Sequence, residues 1–406
     1  GVICHINSIP GGKLGATARD FVDYLESAGM TLWQVLPLNP PGLGNSPYSS
    51  NAAFAGNPDF INYDEVPSVV NYNEFYSRNS FWLEEYIDYL DSQESLEDKD
   101  KDSIRRQQYY FSEQWKQLKE YANSKGVKII GDLPVFVSAY SADVRGNRNN
   151  YQIDELGIRK NHAGVPPDYF SPEGQDWGNP LYDWDYLKET GYDWWIKRLK
   201  QCGERYDYVR LDHFRSFSEY YAIPEGKPAG EGTWQKGPGI DFFRTVAEEL
   251  GGTDGVKIIA EDLGSLDCGV YNLLKLTGLP GMNVWQFSAD EIRRMTPEEI
   301  AGRILYTGTH DNQTLMGWCR DNNMSAGDAL AIIKEMYESR APWVLLQIQD
   351  MFMLGDEARM NVPGQATGNW QWRIPGKTIT EGMPDAETIA KAYRKLAEST
   401  GRRRPR

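Results

Sequence analysis

Cysteine is scarce in this chain of 406 residues, which contains four of them. Cys4, Cys202, Cys268 and Cys319 are widely spaced and form neither a CxxC pair nor a zinc-ligand pattern. A disulfide framework and a zinc-stabilised fold are therefore not indicated. The pattern favours a reducing compartment, and we expect the protein to be cytoplasmic.

Long apolar runs, phosphate-binding motifs and excess positive charge are also missing. No run approaches the roughly 18 apolar residues of a membrane span. Glycine-rich stretches such as GKLGA match neither GxGxxG nor GxxxxGK[ST], so no phosphate cradle is indicated. The net charge of −15 argues against nucleic acid or an anionic membrane as the main partner. The chain begins at Gly1 without Met, which leaves open whether an upstream segment was removed.

Aromatic residues are abundant, with 13 Trp and 24 Tyr. Their flat faces can stack on the apolar faces of sugar rings while their polar edges form hydrogen bonds, although many belong to the core. Strand-like and helix-like segments alternate along the chain. We expect strands near residues 2–6, 31–38, 127–137, 282–287 and 344–354, and helices near 16–28, 72–124 and 192–203.

Three further strand-like runs each end in or lead to an acidic residue: Asp212 in YDYVRLDHF, Glu261 in VKIIAEDLG and Asp311 in RILYTGTHDN. The resulting eight strands predict a (β/α)8 barrel, with insertions after strands two and three. We expect one catalytic domain over residues 1–406, with inserted segments at about 39–126 and 138–205. A parallel barrel gathers its strand ends at one mouth, where such barrels carry out chemistry. Two carboxyl groups facing each other there can act on a glycosidic bond.

Several longer strings carry a family resemblance, in order along nearly the whole chain. They are SPYSSNAAFAGNPDFI, IIGDLPVFVSAYSADV, GVPPDYFSPEGQDWGNPLYDW, VRLDHFRSF, IIAEDLG, GLPGM, YTGTHDNQT and EARMNVPG followed by GNWQWR. In these strings the chain resembles the 4-α-glucanotransferases of the amylomaltase or disproportionating-enzyme type, glycoside hydrolase family 77. The resemblance implies transfer of α-1,4-glucan segments between maltodextrins, without a cofactor or metal.

The resemblance also implies roles for individual residues. Asp212 would be the nucleophile, Glu261 the general acid/base, and Asp311 the residue that binds the reacting sugar and favours its distorted state. Strand alternation turns Arg210 to the same side as Asp212, where a guanidinium would keep that carboxyl ionised or simply tie strand ends together. The substrate-binding residues implied are Ser46, Tyr48, Asp168, Gln175, Trp177, Arg210, His310, Asn312 and Asn361.

Other interpretations of these residues are open. Asp212, His213, His310 and Asp311 together resemble a metallohydrolase cluster, but neighbouring residues on a strand face opposite sides and cannot all converge. Tyr48 can instead pin a proline-rich loop, and Trp177 can anchor its loop to the barrel. The histidines can be packing residues.

The chain departs from the family pattern in its shortened segments. Leu43 stands where the family has a tyrosine, the loop between strands six and seven is short, and Gln313 replaces the last acid of HDND. These departures concern the outer acceptor region rather than the three acids. An α-1,4-glucan hydrolase on the same barrel is therefore the second candidate function, and a catalytically silent maltodextrin-binding protein is the third.

Overall fold

Eight short parallel strands form a barrel whose order follows the chain. The computed structural model describes residues 1–68, 71–93, 100–167, 172–251, 255–264, 266–365 and 367–403. The strands in these ranges are β1 (Val2–Ile3), β2 (Leu32–Gln34), β3 (Lys128–Leu133), β4 (Asn161–Val165), β5 (Gln175–Pro180), β6 (Tyr208–Leu211), β7 (Glu219–Pro224), β8 (Thr233–Lys236), β9 (Ile258–Ala260), β10 (Gly281–Val284), β11 (Arg303–Tyr306) and β12 (Trp343–Gln347).

Parallel pairing runs without interruption from β10 through β11, β12, β1, β2, β3 and β6 to β9. Between β9 and β10 the Ala260 amide donates a hydrogen bond to the Pro280 carbonyl oxygen at 2.9 Å. The expected (β/α)8 barrel is confirmed. Its interior is filled by the buried side chains of Ile3, Leu32, Leu36, Ile130, Ile259, Met282, Val284, Ile304, Tyr306, Leu345 and Met360.

Helices surround the barrel and build the insertions. They are α1 (Ala16–Ser27), α2 (Tyr72–Ser92), α3 (Lys101–Ser124), α4 (Ala142–Gly146), α5 (Trp184–Glu189), α6 (Asp193–Arg205), α7 (Gly239–Glu249), α8 (Cys268–Thr277), α9 (Trp285–Arg294), α10 (Pro297–Ala301), α11 (Leu315–Asp321), α12 (Ala326–Glu338), α13 (Ile348–Met351), α14 (Ile379–Gly382) and α15 (Ala386–Ser399). In α1 the apolar residues Phe21, Val22 and Leu25 are buried. Within the described ranges, no helix has the length and apolarity needed to cross a bilayer.

The barrel strands are shorter than the apolar runs that predict them. The run at 2–6 forms β1 over two residues and then a single 3₁₀ turn at Ile6–Ser8. In the run at 282–287, β10 ends at Val284 and α9 begins at Trp285, which is buried, whereas Phe287 is exposed. Hydrophobicity alone does not separate a buried strand from a buried helix start, so these predicted ends are wrong by several residues.

A second sheet lies outside the barrel and was not expected. Its four antiparallel strands have the order β5-β4-β7-β8. The inserted segment expected at about 138–205 contains the strands β4 and β5 in addition to α4, α5 and α6. The chain after β6 adds β7 and β8, a further insertion. Gly164, Gly178, Pro180 and Pro224 lie in these strands and weaken the strand pattern in the sequence.

Candidate active site

Arg210 connects the two central acids at the barrel mouth. It lies on β6, Asp212 follows the end of β6, and Glu261 follows the end of the neighbouring strand β9. The Arg210 Nη1 atom is 2.9 Å from Asp212 Oδ1, and Nη2 is 3.9 Å from Glu261 Oε2. The structure therefore brings Arg210, Asp212 and Glu261 together, as strand alternation predicts.

Glu261 is a buried carboxyl group held by backbone amides. Its Oε2 atom accepts from the His213 N–H at 2.7 Å, and its Oε1 atom accepts from the Leu263 N–H at 2.9 Å. Burial, helped by the negative charge of Asp212 and opposed by Arg210 and the two amides, raises the pKa of Glu261 to about 8. At neutral pH this group carries a proton, as a general acid must.

His213 aims its own amide at this carboxyl group through an unusual backbone conformation. Its φ of 47° lies in the left-handed region, which histidine visits more readily than most residues. Burial lowers the pKa of the His213 side chain to about 4. Its ring contacts the edge of Trp177, with centroids 4.9 Å apart. The His213 backbone amide therefore holds the Glu261 carboxyl group, and its neutral ring packs against Trp177 at the mouth.

Asp132 is a site residue that the sequence analysis missed. It lies on β3, its side chain is fully buried, and its Oδ1 atom is 2.8 Å from Arg210 Nη1. Its Oδ2 atom accepts from the Tyr48 hydroxyl at 2.6 Å. Burial raises the pKa of Asp132, opposed chiefly by Arg210. The available sequence signal was the apolar run KIIGDL, which leads to an acid in the same way as the three runs that were singled out.

Tyr48, His310 and Asp311 form a second group at the mouth, joined to Arg210 through the hydrogen bond from Tyr48 to Asp132. The Tyr48 ring stacks on His310 with centroids 4.7 Å apart, and its hydroxyl is 3.3 Å from His310 Nδ1. His310 Nε2 is 3.4 Å from Asp311 Oδ2. Half of the Asp311 side chain, 49%, is accessible to solvent, so this acid faces the open cleft.

Some residues expected to bind substrate are occupied by protein contacts. Asn361 Nδ2 donates to Asp311 Oδ1 at 2.6 Å, and Ser46 Oγ accepts from the Tyr48 N–H at 3.2 Å. Asn312 Oδ1 accepts from both the amide and the hydroxyl of Thr309, at 2.8 and 2.9 Å. In this structure these three side chains shape the site through the residues they hold.

The second sheet contributes the remaining expected residues that are described. Gln175 and Trp177 lie on β5, and the Trp177 Nε1 atom donates to Gln175 Oε1 at 3.1 Å. Trp177 is 37% exposed and reaches the active site through its contact with His213. Asp168 lies outside the described residues.

A metal centre finds no support in the described parts of the chain, where no group of three or more His, Cys, Asp or Glu side chains could hold an ion. His213 lies against Trp177 while His310 lies against Tyr48, so the suggested metallohydrolase residues do not converge. Acid–base chemistry by the carboxyl groups is what the arrangement can perform.

Comparison with known proteins assigns a family. The family model described as 4-alpha-glucanotransferase, glycoside hydrolase family 77, matches residues 5–101 and 82–379. The chain belongs to this family. It is similar to the 4-alpha-glucanotransferase of Thermus thermophilus, with 35% identity over 496 positions covering 98% of this chain and 99% of the relative. It is also similar to that of Streptococcus pneumoniae, with 34% identity over 499 positions covering 98% of both.

These alignments are longer than the 406 residues of the chain, so the relatives carry internal segments that this chain lacks. A plastid 4-alpha-glucanotransferase of Arabidopsis thaliana is 34% identical over 99% of this chain and 85% of its own length. Among solved structures, the chain is similar to an amylomaltase from Streptococcus agalactiae in complex with acarbose. That comparison has a TM-score of 0.88, 29% identity and 99% coverage of both chains. The expected family is confirmed.

Proposed function

We propose that this enzyme transfers α-1,4-glucan segments between maltodextrins by a retaining double displacement through a glucosyl ester of Asp212. The observation that carries the proposal is one guanidinium shared by Asp212 and a buried Glu261 whose pKa is raised to about 8. Retaining enzymes require one carboxylate as nucleophile and one carboxylic acid as proton donor. The contrast between the two groups supports Asp212 and Glu261 in these respective roles.

In the first step, the Glu261 carboxyl group gives its proton to the glycosidic oxygen while an Asp212 oxygen bonds to the anomeric carbon. The glycosidic C–O bond breaks, and the reducing-end portion of the donor leaves with the proton. In the second step, the Glu261 carboxylate accepts the proton of an acceptor 4-hydroxyl. That oxygen attacks the anomeric carbon and the ester bond to Asp212 breaks, which restores both side chains.

Asp311, Tyr48 and His310 are proposed to bind the reacting sugar. Asp311 would accept hydrogen bonds from its hydroxyl groups, and the half-exposed carboxylate supports this role. The stacked pair of Tyr48 and His310 would lie against the same ring. Gln175 and Trp177 are proposed to contact the glucan from the second sheet, together with Asp168, and Arg210 to hold Asp212.

Incubation with maltotriose, followed by chromatography, tests the proposal. Glucose together with oligomers longer than maltotriose means transfer, whereas glucose and maltose alone mean hydrolysis. Binding without any product would mean a silent binding protein. Asp212→Asn, which keeps the shape but removes the nucleophile, should abolish turnover while glucan binding persists.

Hydrolysis is the second candidate because transfer needs an acceptor region that admits sugar and excludes water. The internal segments present in the relatives and missing here support a more open acceptor region.

We also propose that residues 1–406 act as one catalytic domain. A cytoplasmic location remains our proposal, supported by four cysteines that are all free thiols.

A further inference from the structure

The loop between β11 and α11 carries His310 and Asp311, and both of its ends are bound to one carboxyl group. The Thr307 hydroxyl donates to Asp350 Oδ2 at 2.6 Å, and the Leu315 N–H donates to Asp350 Oδ1 at 2.6 Å. Asp350 lies on α13, which follows the barrel strand β12 directly in the chain, and it is completely buried. It thus closes the segment 307–315 into a loop without reaching the cleft.

The same loop is held along its backbone. The Gln313 carbonyl oxygen accepts from the side-chain amides of Gln286 and Gln347, each at 2.9 Å. Gly308 allows this approach, since a Cβ atom there would lie 2.5 Å from Gln347 Nε2. Asp356 accepts from the Thr314 N–H at 3.0 Å. The loop therefore has little freedom while these contacts persist.

Asp311 itself is held from the segment that follows Asp350. Arg359 Nη2 donates to the Asp311 carbonyl oxygen at 2.6 Å, and the Asn361 amide donates to its carboxylate. The stretch from Gln347 to Asn361 thus contacts the loop at its ends, its backbone and its functional side chain. Asp350 is the buried member of this set and the one that joins both loop ends.

We propose that Asp350 is a positioning residue for glucan transfer, acting through the loop that places His310 and Asp311. This inference rests on the proposed role of Asp311 in holding the reacting sugar. Loss of Asp350 would leave two buried donors, the Thr307 hydroxyl and the Leu315 amide, without a partner. A displacement of about 1 Å in a positioning group can reduce a rate about 100-fold.

Asp350→Asn tests the proposal, because it keeps the volume and replaces one carboxylate oxygen by an amide. Asp328→Asn is the matched control: Asp328 Oδ2 also accepts from one backbone amide and one hydroxyl, both of Ser325 at 2.7 Å, at the exposed start of α12. We expect Asp350→Asn to reduce kcat/KM on maltotriose roughly 10- to 100-fold, mainly through kcat, at unchanged circular dichroism. Asp328→Asn should lower Tm and leave kcat/KM unchanged. Equal kcat/KM in the two folded variants would overturn the proposal.

A double-mutant cycle with Asp311→Asn shows whether Asp350 acts through Asp311. With maltosyl fluoride as an activated donor, Asp350→Asn should reduce kcat/KM less than about threefold when Asp311 is already replaced. The effects of coupled residues are not additive. A full, additive loss would show that Asp350 acts elsewhere and would overturn the inference. If Asp311→Asn alone left turnover intact, the proposed role of Asp311 would fail instead, while glucan transfer itself would stand. Should Asp350→Asn not fold, Thr307→Val removes one of the two hydrogen bonds and is judged by the same cycle.

Discussion

Arg210 is surrounded by three carboxyl groups, those of Asp132, Asp212 and Glu261, and one guanidinium cannot neutralise three full charges. Burial decides how the charge is distributed, because Glu261 and Asp132 are the two groups whose ionisation it penalises most. Asp212 is the member with more solvent access, at 24% of its side chain. The proposed proton donor Glu261 and the proposed nucleophile Asp212 are thus distinguished by how far each is buried rather than by residue type.

The raised pKa of Glu261 predicts a pH dependence. Because Glu261 keeps its proton up to about pH 8, the first step on maltotriose should slow as the pH rises through that value. We expect kcat/KM to be level below pH 8 and to fall about tenfold per pH unit above it. Measurement from pH 6 to 9.5 with maltotriose and with maltosyl fluoride checks this. Fluoride needs little protonation to leave, so an equal fall with both donors would argue against Glu261 as the acid.

Asp132 provides a second prediction at this scale. Asp132→Asn leaves one acceptor oxygen where Asp132 uses two, one for Arg210 and one for the Tyr48 hydroxyl, and a buried donor left without its partner costs about 1–3 kcal/mol. We expect a lower Tm and at least a tenfold loss of kcat/KM on maltotriose. Tyr48→Phe, which removes only the hydroxyl, should cost less, and comparison of the two variants by calorimetry and kinetics shows which contact matters. A fully active Asp132→Asn enzyme would show that the Asp132 carboxyl group is not needed for activity.

The sequence revealed the residues that end a strand in a recognisable motif, but not their partners. Asp212, Glu261 and Arg210 could be predicted from strand ends and alternation. Asp132 follows the same pattern, but the expected strand extends to residue 137, so Asp132 lies inside that strand in the sequence and not at its end. The contacts of Asp350 depend on how β12 and α13 pack behind the loop after β11, and separations of 35 to 43 residues along the chain carry no local pattern.

Among the elements, the second sheet brings β5 beside the mouth, and we propose that it contacts the glucan there. Trp177 on β5 touches His213 with its edge and leaves 37% of its surface to solvent. Sequence periodicity identified the barrel because its strands are buried and apolar. It missed β4, β5 and β8 because these strands are rich in polar residues, glycine or proline, and it missed the short buried strand β7; all four are defined by their pairing.

We predict that Trp177→Ala weakens glucan binding with little effect on the chemical step. A stacked ring contributes on the order of 1 kcal/mol, so KM for maltotriose should rise about fivefold while kcat changes less than twofold. Trp177→Phe keeps a flat face and should stay within twofold of the parent enzyme. Steady-state kinetics with all three proteins provides the measurement. A loss confined to kcat would instead indicate that Trp177 supports His213 and, through it, Glu261.

At the scale of the whole molecule, the barrel is complete while internal segments found in the relatives are missing. The proposed nucleophile Asp212 and proton donor Glu261 follow the neighbouring strands β6 and β9, which belong to the complete barrel and do not depend on those segments. Whether the glucosyl ester meets a sugar or a water molecule depends on the surroundings of the mouth. The shortened regions should thus change the fate of the intermediate rather than its formation.

This reasoning predicts measurable hydrolysis beside transfer, in a larger proportion than in the longer relatives. The ratio of free glucose to lengthened oligomers, measured at one maltotriose concentration, compares this enzyme with the Thermus thermophilus relative. Leu43→Tyr restores the flat ring that the family pattern carries and should raise the transfer share or tighten binding of longer glucans. One stacked ring is worth about 1 kcal/mol, so the change should be roughly fivefold at most. The parent chain could instead show pure transfer, with no change in Leu43→Tyr. This result would mean that the missing segments are not needed to exclude water. The acceptor would then be held by groups within the barrel mouth itself.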